Sequence, residues 1–148
     1  MYYYLIILAA IVLDQLVKHF VVTNMNLNES IAIIDGFFNL TYIRNTGAAF
    51  SIFEGQQLLL IAVPGIVMLA GLIYLGRHGK NRPKLLLFSI ALIIGGGIGN
   101  LYDRIAAGYV VDFLDFGRFP IFNLADIFVC VGCALLCFFV IFIDGRKA

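Results

Sequence analysis

Five carboxylates, Asp14, Asp103, Asp112, Asp115 and Asp126, stand inside or against long apolar runs. An ionisable group there is costly and marks a candidate site. Asp112 and Asp126 are the pair best suited to chemistry. Asp112 follows a short apolar extended run, Gly108-Tyr109-Val110-Val111, and Asp126 opens the last apolar run, just after Phe119-Pro120-Ile121-Phe122-Asn123. A helix cap, with Asn123 as N-cap and Asp126 in the first turn, accounts for Asp126. It leaves Asp112 without a partner. Two carboxylates brought together by the fold account for both, because like charges at close range cannot both ionise. A pair sharing one proton can polarise a water for attack on a peptide carbonyl.

The remaining chemistry-bearing residues read differently. Asp14 and Lys18 are spaced to share a helix face and to pair, with the lysine stem snorkelling toward the nearer surface. Asp103-Arg104 sets opposite charges side by side at the end of an apolar run, which reads as an anchor to the boundary or to each other, with direct chemistry by Asp103 as the alternative. No Ser-His or Cys-His set is available: His19 lies toward the outer end of the first apolar run and His78 in a basic connector. No H-E-x-x-H motif is present. Cys130, Cys133 and Cys137 fall within the last apolar run, at a spacing that puts three thiols on one helix face. Without a nearby fourth ligand they read as small residues packing a helix, not as a metal site. Gly95, Gly96, Gly97 and Gly99 follow no strand and do not fit a dinucleotide fingerprint. Gly95 and Gly99 have the small-xxx-small spacing of close helix packing.

What must position these residues is set by composition. The chain is 62% hydrophobic and 13% charged, with a mean hydropathy of +1.00. That is far more apolar than a soluble domain, and the continuous runs exclude a barrel. The sequence therefore predicts an all-α membrane protein, one domain over 1–148, built as a bundle of four transmembrane helices over about 2–22, 58–75, 85–102 and 125–143. A cleaved signal peptide is rejected for the first run, because no basic segment precedes it, Asp14 and Lys18 interrupt it and no A-x-A site follows. Short β-type runs at Ser30–Ile34, Phe37–Arg44 and Ala48–Phe53 predict a small extracytoplasmic sheet or hairpin over about 30–53, with Arg44-Asn45-Thr46-Gly47 as a turn. Asn45 beside Gly47 fits such a turn without any further role.

Orientation follows from the short loops. Arg77, Lys80, Arg82 and Lys84 fill one connector and Arg146 and Lys147 the C-terminal tail, whereas the segments at the other end hold Arg44, Arg104 and Arg118. The positive-inside rule then puts both termini in the cytoplasm and the acidic segment at the outer face. No basic patch suggests nucleic acid.

Five blocks in this order, DQLVK at 14–18, RNTGAAF at 44–50, GNLYDR at 99–104, VVDF at 110–113 and FPIFNLAD at 119–126, resemble the signature blocks of the bacterial lipoprotein signal peptidases, signal peptidase II. The resemblance implies an aspartic endopeptidase of the cytoplasmic membrane. It would cut a prolipoprotein just before its diacylglyceryl-modified cysteine, needing no metal or organic cofactor. It also implies Asp112 and Asp126 as the catalytic dyad, Asn45, Asn100, Arg104 and Asn123 as polar residues lining the site, and Asp14 and Lys18 as its first block. Two readings from other classes compete: a small transporter relaying protons through Asp14, Asp103, Asp112 and Asp126, and a non-catalytic assembly subunit. The transporter reading expects a repeat and acids spread through the bilayer depth, whereas the acids cluster toward one face and the halves show no repeat.

Overall fold

A computed structural model describes residues 2–47, 55–79 and 82–145. The Ala48–Phe53 run, Lys80 of the basic connector and Arg146 and Lys147 of the tail lie outside the described residues. Four long helices form: α1 (Tyr2–Asn24), α2 (Gln57–His78), α3 (Lys84–Ala107) and α4 (Leu124–Phe138), the last continuing as wider π-type turns over Phe139–Asp144. Each is long and apolar enough to cross a membrane. The helix α2 keeps Pro64 in its interior. The helix α3 runs past the expected end at Tyr102 to Ala107 and stops where Gly108 adopts φ 82° and returns its N–H to the Arg104 carbonyl. Asp103 and Arg104 are therefore in its last turns, held by helical backbone.

The helix α3 is the centre of the bundle, packing against α1, α2 and α4. Its glycines make this possible, because backbones approach closely only where no side chain intervenes. A Cβ on Gly95 would stand 2.6 Å from the Ala10 Cβ, and one on Gly99 2.6 Å from Asp14 Oδ2, so both positions of the expected motif face α1. Gly96 lies against the Ala125 carbonyl of α4 and Gly97 against Met68 of α2. The packed face of α4 is that of Ala125 and Gly132, whose backbone meets Ser89 and Ile93. Cys130, Cys133 and Cys137 are all exposed on the helix surface, which corrects the expectation that they pack inside the bundle.

At the end where α1 and α3 finish and α4 begins, the described residues form a three-stranded antiparallel sheet in the order β1 (Ser30–Ile34), β2 (Phe38–Asn45), β3 (Val110–Asp115). The β1–β2 hairpin turns at Asp35-Gly36, with Gly36 at φ 71°. The strand β2 keeps Arg44, the expected end of its run, and takes in Asn45, where only a turn was expected; Arg44 is held in strand geometry by pairing with Val111 and by its side chain, which donates to the Tyr42 hydroxyl and lies over the Tyr109 ring. The third strand comes from the segment carrying Asp112, with Ile43 opposite Asp112 and Asn45 opposite Val110. Strand alternation sorts its residues. Val111 and Phe113 pack with Val21, Met25 and Tyr42, and Val110 and Asp112 face a cavity on the other side.

Candidate active site

The cavity has a volume of about 500 Å³ and has two walls. Asn45, Asn100, Arg104, Asp112, Asn123 and Asp126 supply the polar one; Phe119 to Phe122 and Ile127, Cys130 and Val131 of α4 supply the apolar one. Asp112 comes from β3 and Asp126 from the first turn of α4, so the fold brings the two predicted carboxylates to one space. The capping reading of Asn123 and Asp126 holds in full: Asn123 Oδ1 accepts from the Asp126 N–H at 3.0 Å, and Asp126 Oδ2 accepts from the Asn123 N–H at 3.1 Å. Asn123 does more than cap. Its Nδ2 donates to Asp112 Oδ1 at 2.6 Å and to Asn100 Oδ1 at 3.0 Å, so one buried amide joins both aspartates.

Two further amides complete the ring. Asn100 Nδ2 donates to Asp126 Oδ1 at 2.8 Å, and Asn45 Nδ2 donates to Asp112 Oδ2 at 2.9 Å. Asn45 is also the turn residue it resembles, its Oδ1 accepting from the Gly47 N–H at 3.0 Å. Among the described residues no hydrogen bond joins the two carboxylates directly; amides separate them and hold both toward the cavity. Asp112 is 2% exposed, and this burial pushes its carboxyl up to about 6. The Asn45 amide works against that rise, the charge of Asp126 adds to it and the Asn123 amide opposes it. Arg104 lines the same cavity and donates from Nη2 to the Gly47 carbonyl at 3.0 Å.

The Asp14–Lys18 pair forms at 2.8 Å, as the spacing predicts. Lys18 does not snorkel: it is 3% exposed and makes a second ion pair, with Asp103, also at 2.8 Å. The partner of Asp103 is thus Lys18, and not the neighbouring Arg104. Three donors leave an ammonium no reason to seek water once three acceptors surround it. Asp14, Lys18 and Asp103 do not line the cavity. Gln15 belongs to the same cluster, its Nε2 lying 2.9 Å from Asp103 Oδ1, 3.2 Å from Asp14 Oδ2 and 3.2 Å from the Gly99 carbonyl. Sequence reasoning passed over it, although an amide beside an acid within a span is itself a signal of buried polar partners. His19 is exposed, and among the described residues no group of three His, Cys, Asp or Glu side chains is arranged to hold a metal ion.

A multi-pass helical bundle that holds two amide-bound carboxylates against a mostly apolar cavity places the chain in a class, the membrane-embedded enzymes. The model of the Signal peptidase (SPase) II family matches residues 6–142, and the chain belongs to that family. It is 48% identical over 134 residues to the lipoprotein signal peptidase of Halothermothrix orenii, covering 90% of each chain. It is 44% identical over 149 residues to that of Brevibacillus brevis, covering 99% of each. A bacterial membrane enzyme solved by the in meso method at 2.3 Å resolution has the same fold, with a TM-score of 0.90 and 30% identity over 99% of this chain and 91% of that one. The chain is accordingly an aspartic endopeptidase, which sets aside the transporter and assembly-subunit readings.

Proposed function

We propose that this chain, acting as one domain over 1–148, removes the signal peptide from prolipoproteins, cutting the bond just before a diacylglyceryl-modified cysteine, and that Asp112 and Asp126 are its catalytic dyad. The observation that carries this reading is that, among the described residues, these two acids are the only carboxylates that line the cavity. Asp126 sits at a helix N-terminus, where an anion is favoured, and serves as base. Asp112, whose carboxyl burial pushes up to about 6, serves as acid. Water attacks the scissile carbonyl carbon and gives its proton to Asp126, while Asp112 protonates the carbonyl oxygen. On collapse the C–N bond breaks, Asp126 passes its proton to the leaving amine of the cysteine, and Asp112 regains its own from the gem-diol. Neither metal nor organic cofactor enters these steps. Asn45, Asn100, Arg104 and Asn123 hold the dyad and the peptide, and Asp14, Lys18 and Asp103 support them from behind.

The apolar wall suits a lipidated substrate entering from the outer leaflet. In this reading both termini and the basic connector are cytoplasmic, and the sheet lies at the outer face among membrane lipids. A reporter fused at Gly79 that proved extracytoplasmic would reverse that orientation. The substrate assignment is tested with purified protein in detergent and two precursor peptides of one sequence, with and without the diacylglyceryl group. Mass spectrometry is expected to find a product beginning at the modified cysteine and no product from the plain peptide. Equal cleavage of both, or cleavage elsewhere, would refute it.

A further inference from the structure

The ion cluster of Asp14, Lys18 and Asp103 stands behind the cavity wall, yet each of its arms ends beside one of the two aspartates. Lys18 has three N–H donors and no acceptor. All three are used, on Asp14 Oδ2 at 2.8 Å, Asp103 Oδ2 at 2.8 Å and Asn100 Oδ1 at 2.9 Å. The other oxygen of Asp14 accepts the backbone N–H of Ala125 at 2.9 Å, the residue before Asp126. Asp103 Oδ2 accepts the backbone N–H of Val111 at 3.3 Å, the residue before Asp112. Asn100 turns its Nδ2 onto Asp126 itself.

We propose that Lys18 is a positioning residue for the peptidase reaction, fixing through these three arms where both aspartates stand and which way the Asn100 amide faces. The proposal rests on the dyad reading. The two ends of an asparagine amide are nearly equal in shape, so its partners decide its orientation. Asn100 Oδ1 receives both Lys18 Nζ and Asn123 Nδ2, which leaves Nδ2 for Asp126. Turned over, the amide would set its NH₂ against an ammonium and another NH₂, and its oxygen against a carboxylate. Stability is a weak reason for burying such a cluster, since apolar residues of similar volume replace buried ion pairs at little loss or with a gain. The fold nevertheless makes room for it, because Gly99 leaves the space that Asp14 occupies.

The test compares Lys18→Met/Asp103→Asn with Lys18→Gln/Asp103→Asn in the full-length detergent-purified protein; both pairs keep the net charge of the cluster. Turnover of a diacylglyceryl-modified precursor peptide is expected to fall about 100-fold in the Met pair, with KM within about twofold, as for a misplaced catalytic group. The Gln pair restores a donor toward Asn100 and is expected to regain much of that loss at the same unfolding temperature. Equal turnover of the two pairs, or a loss confined to KM, overturns the proposal. If the Met pair does not stay folded, Asn100→Ala carries the test, because it leaves both ion pairs in place. Adding Lys18→Gln to it is expected to cost far less than the product of the single losses, and a full product overturns the coupling. Asp126→Asn run alongside separates the two claims: turnover there within about tenfold of the natural chain counts against the dyad itself, whereas Lys18 fails only on the comparisons above.

Discussion

Two sets of acids lie on opposite sides of Asn100, and they differ in what surrounds them. Asp14 and Asp103 share an ammonium, receive backbone N–H groups and are closed off from the cavity. Asp112 and Asp126 receive neutral amides and a single backbone N–H, and face open space. The first set is tied up by a shared cation and by backbone, whereas the second, held by neutral amides, keeps an open side where a substrate can meet it. Under the proposed dyad, burial alone does not mark a reactive acid in this bundle; the nature of the donors and the access to a cavity do.

The sharpest way to break the contrast short of the acids themselves is Asn123→Ala. It removes the amide that touches Asp112 and Asn100 together with the cap of α4. Turnover is expected to drop about 100-fold, and the unfolding midpoint to fall by the equivalent of about 1 kcal/mol for the lost cap. Turnover that follows stability alone would make Asn123 only a cap. Gly99→Ala attacks the other acid set, since its Cβ would stand 2.6 Å from Asp14 Oδ2. A loss of about 1–3 kcal/mol in detergent unfolding is expected from the overpacking, with turnover falling less than in Asn123→Ala. No destabilisation would mean that the α1–α3 contact is looser than the fold requires.

The smallest expected effect sharpens the electrostatic half of the comparison. Asp112 must be protonated to act as acid, so kcat/KM is expected to decline as pH rises through about 6. Asn45→Ala removes a donor that favours the anion, which raises the carboxyl further. The declining limb should therefore move to higher pH by a fraction of a unit. A limb that stays in place, or moves down, would take Asp112 out of the acid's role.

Much of this arrangement was legible in the chain. Continuous apolar runs fixed the four spans, Asp35-Gly36 the hairpin turn, and Asn123 with Asp126 the start of α4. Each depends on neighbours close in sequence. What escaped depends on distant partners. The extended run before Asp112 was legible, but its pairing as β3 is recognisable only once Asn45 and Val110 meet, because an isolated extended run does not report its partner. Lys18 turns inward because Asp103 and Asn100 arrive from α3 to meet it, and periodicity within α1 cannot report that. The direction of the three thiols was missed for a similar reason: the Ala125 and Gly132 face of α4 packs on α3 and leaves the cysteines off that face, with Cys130 against the cavity.

The division of labour between the two acid sets is tested most directly by turnover of a diacylglyceryl-modified precursor with purified Asp112→Asn and Asp126→Asn proteins. Both are expected to lose more than about 1000-fold in kcat, the scale of a missing general acid or base, while still binding the precursor. Either variant turning over within about tenfold of the natural chain would contradict the assignment of these two residues as the catalytic pair.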